Sequence, residues 1–365
     1  MRIAFYHQLH KGGARRGTNE FARQLKMRGH EVDLYTIGKL QEEEKKIYSN
    51  IFLYKFKPKK WKGHDWKTRL YKDSIELFRL YLLDKKIAAD IEKRKYNAAY
   101  IAASFFIESP FVLQFLKLPT FFYCNDPYYR IIYEPDLFKR DGLEWYKVKY
   151  EGVNRFVRKY LDKWNISKAS YIISISSFCE REFYRAYGRK GDVVYYGVDT
   201  KFFVPRYTDK NIDLLFIGSY DFLDGYPFFE EVIKNMKSKP KTRIIIFENE
   251  WLNDKQLLDV YQRTKVLVAP AYREPLGLVP LEAMACGAAV IAVNEGAHPE
   301  TVINNKTGYV LKRDPKLFAR NLDELLNNPD TLRKMGKNAS IYVQDNWSWE
   351  KRGKELEDFI LGKLK

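Results

Sequence analysis

The sequence predicts an α/β protein made of two doubly wound domains, and three observations lead to this fold class. The chain has 365 residues, which exceeds one ordinary domain and suits two of roughly 150 to 200. Hydrophobic residues make up 45% of the chain, enough for each half to bury a core. Strand-like and helix-like segments alternate, and the alternation starts again after residue 205. This pattern favours two parallel sheets covered by helices on both faces.

The first 40 residues predict a βαβ unit. Residues 2–5 begin an apolar strand, and residues 11–17 form a loop with three glycines. Thr18 has the side chain of an N-cap before apolar residues at helical spacing, and Gly29 ends that helix. Residues 31–37 return as a strand, so the first two strands are expected to be parallel.

The rest of the chain continues this alternation in two blocks. In the first half, strands are predicted at 98–103, 120–124, 171–176 and 193–195, and helices at 72–94 and 144–164. In the second half, strands are predicted at 213–217, 242–247, 266–269 and 289–293, and helices at 227–236, 254–263, 280–286, 315–326 and 330–345. We therefore expect an N-terminal domain at 1–203 and a C-terminal domain at 204–345. Residues 346–365 would form a closing amphipathic helix.

The positive charge is concentrated in the first half. The net charge is +17; residues 1–200 hold 39 basic and 24 acidic residues (+15), and residues 201–365 hold 25 and 23 (+2). The densest stretch, residues 55–72, has eight Lys or Arg against one Asp, with aromatic residues between them. Its central residues are Lys57, Lys59, Lys60, Trp61, Lys62 and Trp66. This composition suits an anionic membrane surface, nucleic acid, or a solvated loop; the uneven charge favours a binding surface.

The remaining composition points to the cytoplasm. Three cysteines, odd in number and far apart, argue against a disulfide framework or a structural zinc site. The first residues lack the pattern of a signal peptide, and no apolar run is long enough for a membrane span. We expect a cytoplasmic protein, peripheral to the membrane if the basic stretch binds lipid.

Residues 268–287, VAPAYREPLGLVPLEAMACG, have the pattern of a strand, a loop and a helix. Glu274 lies on the loop, and Glu282 follows eight positions later in the expected first helical turn. A helix N-terminus offers unpaired N–H groups and a positive dipole end, and Gly277 permits close backbone approach. We interpret the segment as a ligand site whose glutamates accept hydrogen bonds from sugar hydroxyls. Alternatively, Glu282 is a capping carboxylate and Glu274 a solvated charge.

With this segment, the sequence resembles the retaining glycosyltransferases of family 4, which have the GT-B architecture. The E-x7-E signature of that family is present as EPLGLVPLE, from Glu274 to Glu282. Further similarities are the Gly12-Gly13 loop, RGHEV from Arg28, YGVD from Tyr196, and PETV with KTGYVL from Pro299 to Leu311. The resemblance runs over nearly the whole chain.

The resemblance implies two Rossmann-like domains facing across a cleft, with a C-terminal helix that crosses back to the N-terminal domain. The N-terminal domain would hold a glycan or lipid-linked acceptor, and the C-terminal domain a nucleoside-diphosphate sugar. Glu274 would contact the transferred sugar, and Glu282 the nucleotide ribose. Other implied donor-binding residues are Gly12, Gly13, Arg15, Arg16, Gly218, Ser219, Arg273, Leu276, Gly277 and Leu278. Such enzymes retain the anomeric configuration by front-face attack. Because the chain contains no D-x-D, we expect neither a metal nor another cofactor.

The chain departs from the family pattern at two places. Members normally have an arginine and a lysine after the first strand of the C-terminal domain, but this chain has Ser219 and Asp224 there. Losing two charge-assisted contacts weakens transition-state stabilisation, and Arg273, Arg15 and Arg16 are the candidate replacements. Asn125 stands where many members have a histidine near the reacting sugar. Asp126 could orient an acceptor hydroxyl, although such a pair also suits a strand-end turn.

Three functions are compatible with these patterns. The leading hypothesis is a retaining, metal-independent, hexosyltransferase-like enzyme of glycan biosynthesis. The second is a weakly active or inactive sugar-nucleotide-binding relative that serves a partner subunit, and the missing cations motivate it. The third, a glycosyltransferase that modifies nucleic acid or a nucleic-acid-binding protein, rests on net charge alone and is the least favoured. His7 and His10 either line the cleft or are satisfied locally, and His298 lies near the expected donor.

Overall fold

The computed structural model describes residues 1–56, 70–104, 107–124, 144–206 and 210–365. Its contacts divide the chain into two compact units. The first unit comprises Met1–Ile175, Cys179–Val194 and Gly353–Lys365; the second comprises Ser176–Phe178 and Tyr195–Arg352. The membrane-surface residues Lys57, Lys59, Lys60, Trp61, Lys62 and Trp66, and the pair Asn125 and Asp126, lie outside the described residues.

The first unit is built on a seven-stranded parallel sheet in the order β3-β2-β1-β4-β5-β6-β7. Its strands are β1 (Arg2–His7), β2 (Glu31–Ile37), β3 (Asn50–Tyr54), β4 (Ala98–Ile101), β5 (Thr120–Cys124), β6 (Tyr171–Ser174) and β7 (Asp192–Val193). Its helices are α1 (Gly13–Met27), α2 (Glu44–Ile47), α3 (Leu77–Glu92) after a π-helical turn at Lys72–Glu76, α4 (Trp145–Ile166) and α5 (Ser177–Tyr187), with a 3₁₀ turn at Phe111–Gln114. The first two residues of α5 belong to the second unit. Strands β4 and β5 are buried along their full length, as expected for central parallel strands.

The second unit contains a five-stranded parallel sheet in the order β12-β11-β10-β8-β9. Its strands are β8 (Ile212–Gly218), β9 (Thr242–Ile246), β10 (Thr264–Ala269), β11 (Ala289–Val293) and β12 (Gly308–Leu311). Its helices are α6 (Tyr226–Asn235), α7 (Asp254–Arg263), α8 (Leu278–Ala285), α9 (His298–Thr301), α10 (Pro315–Leu326) and α11 (Pro329–Asn346), and α12 (Trp349–Leu364) begins in this unit. The two Rossmann-like parallel sheets confirm the predicted fold class.

The chain passes from the first unit to the second at Tyr195, and returns to the first at Gly353; the expected boundaries were residues 204 and 346. The second unit starts at Tyr195 because the following segment pairs with residues 347–349: Val198 N–H donates to the Trp347 carbonyl at 2.7 Å, and Tyr196 packs on Trp349. Helix α12 joins the first unit from Gly353 onward. In this part of α12, Glu357 Oε1 lies 2.7 Å from His30 Nε2 of the first unit.

Three local expectations were wrong or incomplete. Helix α1 begins at Gly13, so Thr18 is a buried residue in the middle of the helix and not its N-cap. Strands β3 and β12 were not predicted, because both are sheet edges whose short sequences, NIFLY and GYVL, are only partly buried. The predicted strand at 193–195 pairs only at Asp192–Val193.

Candidate functional site

The order of strands in the second sheet indicates where a ligand would bind. Strands β8 and β10 are neighbours, with β9 outside one and β11 outside the other. In open α/β sheets, this reversal of strand order leaves a crevice at the carboxyl ends of the strands, and ligands bind there. Three loops leave that edge: residues 219–225 after β8, 270–277 after β10 and 294–297 after β11.

The three loops hold one another through backbone contacts. Tyr272 N–H donates to the Leu223 carbonyl at 2.7 Å, and Ala297 N–H donates to the Glu274 carbonyl at 2.8 Å. Gly296, with φ of +62°, lies so close that an added Cβ would be 2.4 Å from both the nitrogen and the oxygen of Glu274. The backbone of Glu274 is therefore fixed by the neighbouring loop, and only glycine fits at position 296.

Glu274 lies beside a helix N-terminus. Gly277 is the N-cap of α8, in a left-handed conformation with φ of +86°, and no side chain caps this helix. A Cβ on Gly277 would be 3.5 Å from Glu274 Cγ. The structure thus brings together Glu274 and the start of α8, where Leu276, Gly277 and Leu278 lie, an arrangement suited to an anionic or hydroxyl-rich ligand.

Glu282 lies deeper than expected. Because α8 begins at Leu278, Glu282 falls in the second turn and not the first, and it is buried. The hydroxyl of the buried Tyr261, on α7, donates to Glu282 Oε2 at 3.1 Å. A carboxylate has about four acceptor positions, so Glu282 can accept from Tyr261 and also from a ligand hydroxyl.

Arg313 braces the loop that carries Glu274, and the sequence did not single it out. Its guanidinium donates to the Pro270 carbonyl at 2.9 Å and the Ala271 carbonyl at 3.3 Å. It also binds Glu295 through two bonds of 2.9 and 2.7 Å. Arg313 therefore connects residues 270–271 to the loop after β11 through hydrogen bonds. Only arginine has the planar, forked set of N–H donors that can make these bonds together.

Ser219 and Asp224, which replace the arginine and lysine of the family pattern, are hydrogen-bonded to each other. Asp224 Oδ2 accepts from the Ser219 backbone N–H at 2.6 Å and from the Ser219 hydroxyl at 2.5 Å. A Cβ on Gly218 would be 3.0 Å from Asp224 Cβ, so the carboxylate folds over the end of β8. A negative charge is thus fixed at the carboxyl end of the strand beside the switch point. Nearby, Arg273, with φ of +49°, places its guanidinium 5.3 Å from the centre of the Phe178 ring.

His298 is a buried imidazole at the start of α9. Among the residues that the structure describes, neither ring nitrogen has a hydrogen-bond partner. Burial, with a smaller contribution from the charge of Arg313, lowers the pKa of His298 to about 4, so the ring is neutral near pH 7. A buried donor and acceptor normally have partners, and His298 lies next to Ala297, which contacts Glu274.

In the first unit, Arg15 is engaged in a structural network. Its guanidinium donates to both carboxylate oxygens of Glu44 at 2.7 Å each, and to the Leu9 and Lys39 carbonyls. Burial alone would raise the pKa of Glu44, but hydrogen bonds from Arg15 and the Gln41 N–H outweigh it and lower that pKa. The charge of Arg15 is therefore compensated inside the unit, which favours Arg16 of the two as a residue for binding phosphate.

The other predicted residues of this unit lie around the same loop. Gly12 precedes α1 and Gly13 begins it, and Arg16, half-buried, donates its backbone N–H to the Gly12 carbonyl at 3.0 Å. His7 is buried, and burial with the charge of Arg15 lowers its pKa to about 4. His10 is exposed.

Within the described ranges, no three His, Cys, Asp or Glu side chains group as a metal-binding set. No helix in the described part of the chain has the length and apolar character needed to span a bilayer.

Family models match both halves of the chain. The family described as Glycosyltransferase Family 4 matches residues 11–202, and Glycosyl transferases group 1 matches residues 203–341. The first match alone covers more than half of the chain.

Curated relatives match over shorter segments. An alpha-1,3/1,6-mannosyltransferase of Dictyostelium discoideum is 32% identical over 154 residues, which cover 41% of this chain and 36% of the relative. A GDP-mannose-dependent alpha-(1-6)-phosphatidylinositol monomannoside mannosyltransferase of Mycolicibacterium smegmatis is 38% identical over 91 residues, which cover 25% of this chain and 24% of the relative. The matched segments thus span about a third or less of these relatives.

Solved structures match over nearly the whole chain. Sucrose-phosphate synthase from Thermosynechococcus elongatus superposes with a TM-score of 0.73 at 15% identity, covering 99% of this chain and 98% of that one. Anabaena HepE, in complex with UDP and glucose, gives 0.70 at 14% identity, covering 99% and 100%. At sequence identities of 14% and 15%, the structural similarity establishes the fold alone.

Proposed function

The chain belongs to Glycosyltransferase Family 4, and from that premise we propose that it transfers a sugar from a nucleoside-diphosphate sugar to a glycan or lipid-linked acceptor, with retention of configuration. The observation that carries the proposal is the fixed position of Glu274. Its backbone is held by Ala297 and Gly296, and its side chain lies beside the start of α8, at the switch point of the second sheet. A carboxylate held before the sugar arrives can stabilise charge that develops during transfer.

Each part of this site has a role in the proposed reaction. The N–H groups at the start of α8 bind the diphosphate, with the positive end of the helix dipole behind them. Glu274 accepts hydrogen bonds from the hydroxyls of the transferred sugar. Glu282, oriented by Tyr261, accepts from the nucleotide ribose. Arg313 positions the loop by holding the Pro270 and Ala271 carbonyls.

Retention and metal independence are part of the proposal. The acceptor hydroxyl attacks from the face that the diphosphate leaves, and its proton passes to the leaving diphosphate. The chain contains no D-x-D pair to clamp a metal–diphosphate complex. Charge on the leaving group is instead balanced by the helix N-terminus and by Arg273.

The first donors to test follow from the relatives. HepE was solved with UDP and glucose, and the Mycolicibacterium smegmatis relative is named for GDP-mannose. The acceptor lies at or near the cytoplasmic face of a membrane, as the basic and aromatic stretch around Lys57, Lys59, Lys60 and Lys62 suggests. Neutralising these four lysines should weaken binding to anionic vesicles.

The test is sugar transfer by wild type and by Glu274→Gln, which preserves shape and removes the charge. Loss of one preorganised stabilising group costs on the order of a hundredfold in turnover. The matched control is Glu250→Gln, a residue of the same unit whose carboxylate pairs with Arg243 on the surface. Full activity of Glu274→Gln would remove Glu274 from the catalytic site.

A second function is favoured by one observation, the Ser219–Asp224 pair. The Asp224 carboxylate stands where the family has a cation, and its negative charge repels the diphosphate as it leaves. The chain could therefore bind sugar nucleotides without efficient turnover and serve a partner subunit. Calorimetry with UDP- and GDP-sugars beside transfer and hydrolysis assays separates the two. Binding without turnover supports the second function, whereas turnover supports the first.

A further inference from the structure

Helix α4, Trp145–Ile166, exposes its apolar residues to solvent. Seven large hydrophobic side chains of this helix are exposed: Trp145, Tyr146, Val153, Phe156, Val157, Tyr160 and Trp164. Counting 100° per residue, all seven lie within about 120° of the helix circumference. They form one continuous face, which we call the α4 face.

The opposite side of α4 is polar and buried. Asp162 Oδ1 accepts from the Ser109 N–H and hydroxyl, both at 3.0 Å, and Asn165 Nδ2 donates to the Ser109 carbonyl at 2.8 Å. Near the middle of the helix, Asn154 Nδ2 donates to Asp73 Oδ2 at 2.9 Å. The apolar side of α4 therefore faces solvent and its polar side faces the protein, the reverse of an ordinary surface helix. These hydrogen bonds prevent the helix from rotating its apolar side inward.

The exposed apolar area is large for a single helix. The five aromatic residues of the α4 face are between 39% and 72% exposed. At roughly 200 Å² per aromatic side chain, they leave on the order of 500 Å² in contact with water. The largest apolar patch of a typical soluble monomer is about 300 to 600 Å² and is often functional, so the α4 face needs an explanation.

Cations border this face. The helix carries six Lys or Arg and two acidic residues, one of them the buried Asp162. Arg155, Lys159 and Lys163 follow one another at four-residue spacing along one edge. Burial, followed by the charges of Arg155 and Lys163, lowers the pKa of Lys159. This crowding of like charges marks a place where an anion would be stabilised.

We propose that the α4 face docks on an anionic lipid bilayer, with helix α4 lying in the plane of the headgroups. An interfacial helix of this kind combines Trp, Tyr and Phe on its apolar face with Lys and Arg at the border. At 22 residues the helix is about 33 Å long, so its full length can rest on the surface. A protein partner would explain the apolar face, but not the row of cations along it.

The neighbouring helix supplies further exposed apolar residues. Asp73, in the π-helical turn before α3, accepts from Tyr150, Asn154 and Arg158 of α4. From this turn into α3, Ile75, Phe78 and Leu82 are exposed at helical spacing. The docking surface thus belongs to the first unit, the one expected to hold the acceptor.

This inference extends the proposed function, in which the acceptor lies at or near a membrane. Its test measures lipid binding alone and does not depend on sugar transfer. Full-length protein is sedimented with vesicles of phosphatidylcholine alone or mixed equally with phosphatidylglycerol. We expect at least tenfold stronger binding to the mixed vesicles, and at least a tenfold loss in the double variant Phe156→Ser with Tyr160→Ser. Lys163→Gln should lose roughly fivefold on the mixed vesicles only.

The control is Tyr184→Ser, an aromatic residue of the same unit that is 47% exposed on α5; it should bind vesicles like wild type. Because the altered side chains are exposed, thermal unfolding and UDP binding should be unchanged, which separates this test from that of the donor site. Vesicle binding by the double variant equal to wild type would overturn the proposal. So would a wild-type dimer that the double variant dissociates while neither binds lipid, because the α4 face would then be a self-association surface.

Discussion

Replacing Gly296 by alanine tests how far catalysis depends on the backbone of Glu274. The new methyl group would lie 2.4 Å from the nitrogen and the oxygen of Glu274, whereas real Cβ contacts essentially never fall under 3.0 Å. The two loops must therefore separate by at least the difference, 0.6 Å. Misplacement of a reacting group by about 1 Å can cost a hundredfold in rate, so we expect a tenfold to hundredfold fall in sugar transfer.

Gly188→Ala is the matched control for backbone strain. Gly188 has φ of +71°, close to the +62° of Gly296, but an added Cβ meets nothing within 4 Å. Urea unfolding should show that Gly188→Ala loses about 1 to 2 kcal/mol of stability from the left-handed conformation. Gly296→Ala should lose more, because its methyl group also clashes with Glu274. Only Gly296→Ala should lose transfer activity, with donor affinity from calorimetry as a second readout. Equal activity of the two variants would refute the claim that this contact positions Glu274.

Three further predictions concern the surrounding residues. Arg313→Met should lower stability by about 1 to 3 kcal/mol and slow sugar transfer; the range allows for the partial exposure of the ion pair with Glu295. Arg313→Lys should restore only part of the stability and activity. Unchanged thermal unfolding and transfer would show that Arg313 does not hold the loop in place. The pKa of His298 falls from 6.5 to about 4 on folding, so the unfolded chain binds more protons between these values and wild type loses stability as pH falls through them. The stability advantage of wild type over His298→Gln should thus shrink by about 2 kcal/mol between pH 7 and pH 5, and a constant difference in urea unfolding would contradict the burial of a neutral ring. Asp224→Asn should raise affinity for UDP or GDP severalfold by removing a charge near the diphosphate, and unchanged calorimetry would place Asp224 away from it.

Local patterns in the sequence were sufficient for the fold class and for the strand, loop and helix that carry Glu274 and Glu282. Central strands such as β5 and β11 are continuous apolar runs, which burial on both faces demands. Glu274 and Glu282 belong to one contiguous segment, so the sequence placed one on the loop and the other in the helix, although Glu282 falls one turn later than expected. The edge strand β3 lacked this signal because it is only partly buried.

Interactions between distant positions were not accessible from the sequence. Arg313 contacts a carbonyl 43 positions earlier, and only the folded sheet brings the two together. Arg15 was expected to bind phosphate because it follows a glycine-rich loop, yet its partner Glu44 lies 29 positions away. Likewise, the periodicity of α4 predicted a helix but not which face would be buried, since hydrogen bonds to Ser109 and Asp73 decide that.

The central claim is that Glu282 binds the nucleotide and Glu274 the sugar at the switch point of the second sheet. Calorimetric titration of UDP, GDP and their sugar conjugates into wild type, Glu282→Gln and Glu274→Gln tests it most directly. We predict that Glu282→Gln weakens binding of the free nucleoside diphosphate about tenfold. Glu274→Gln should leave that affinity intact and weaken only the sugar conjugate. If both variants bind both ligands as wild type does, the site lies elsewhere.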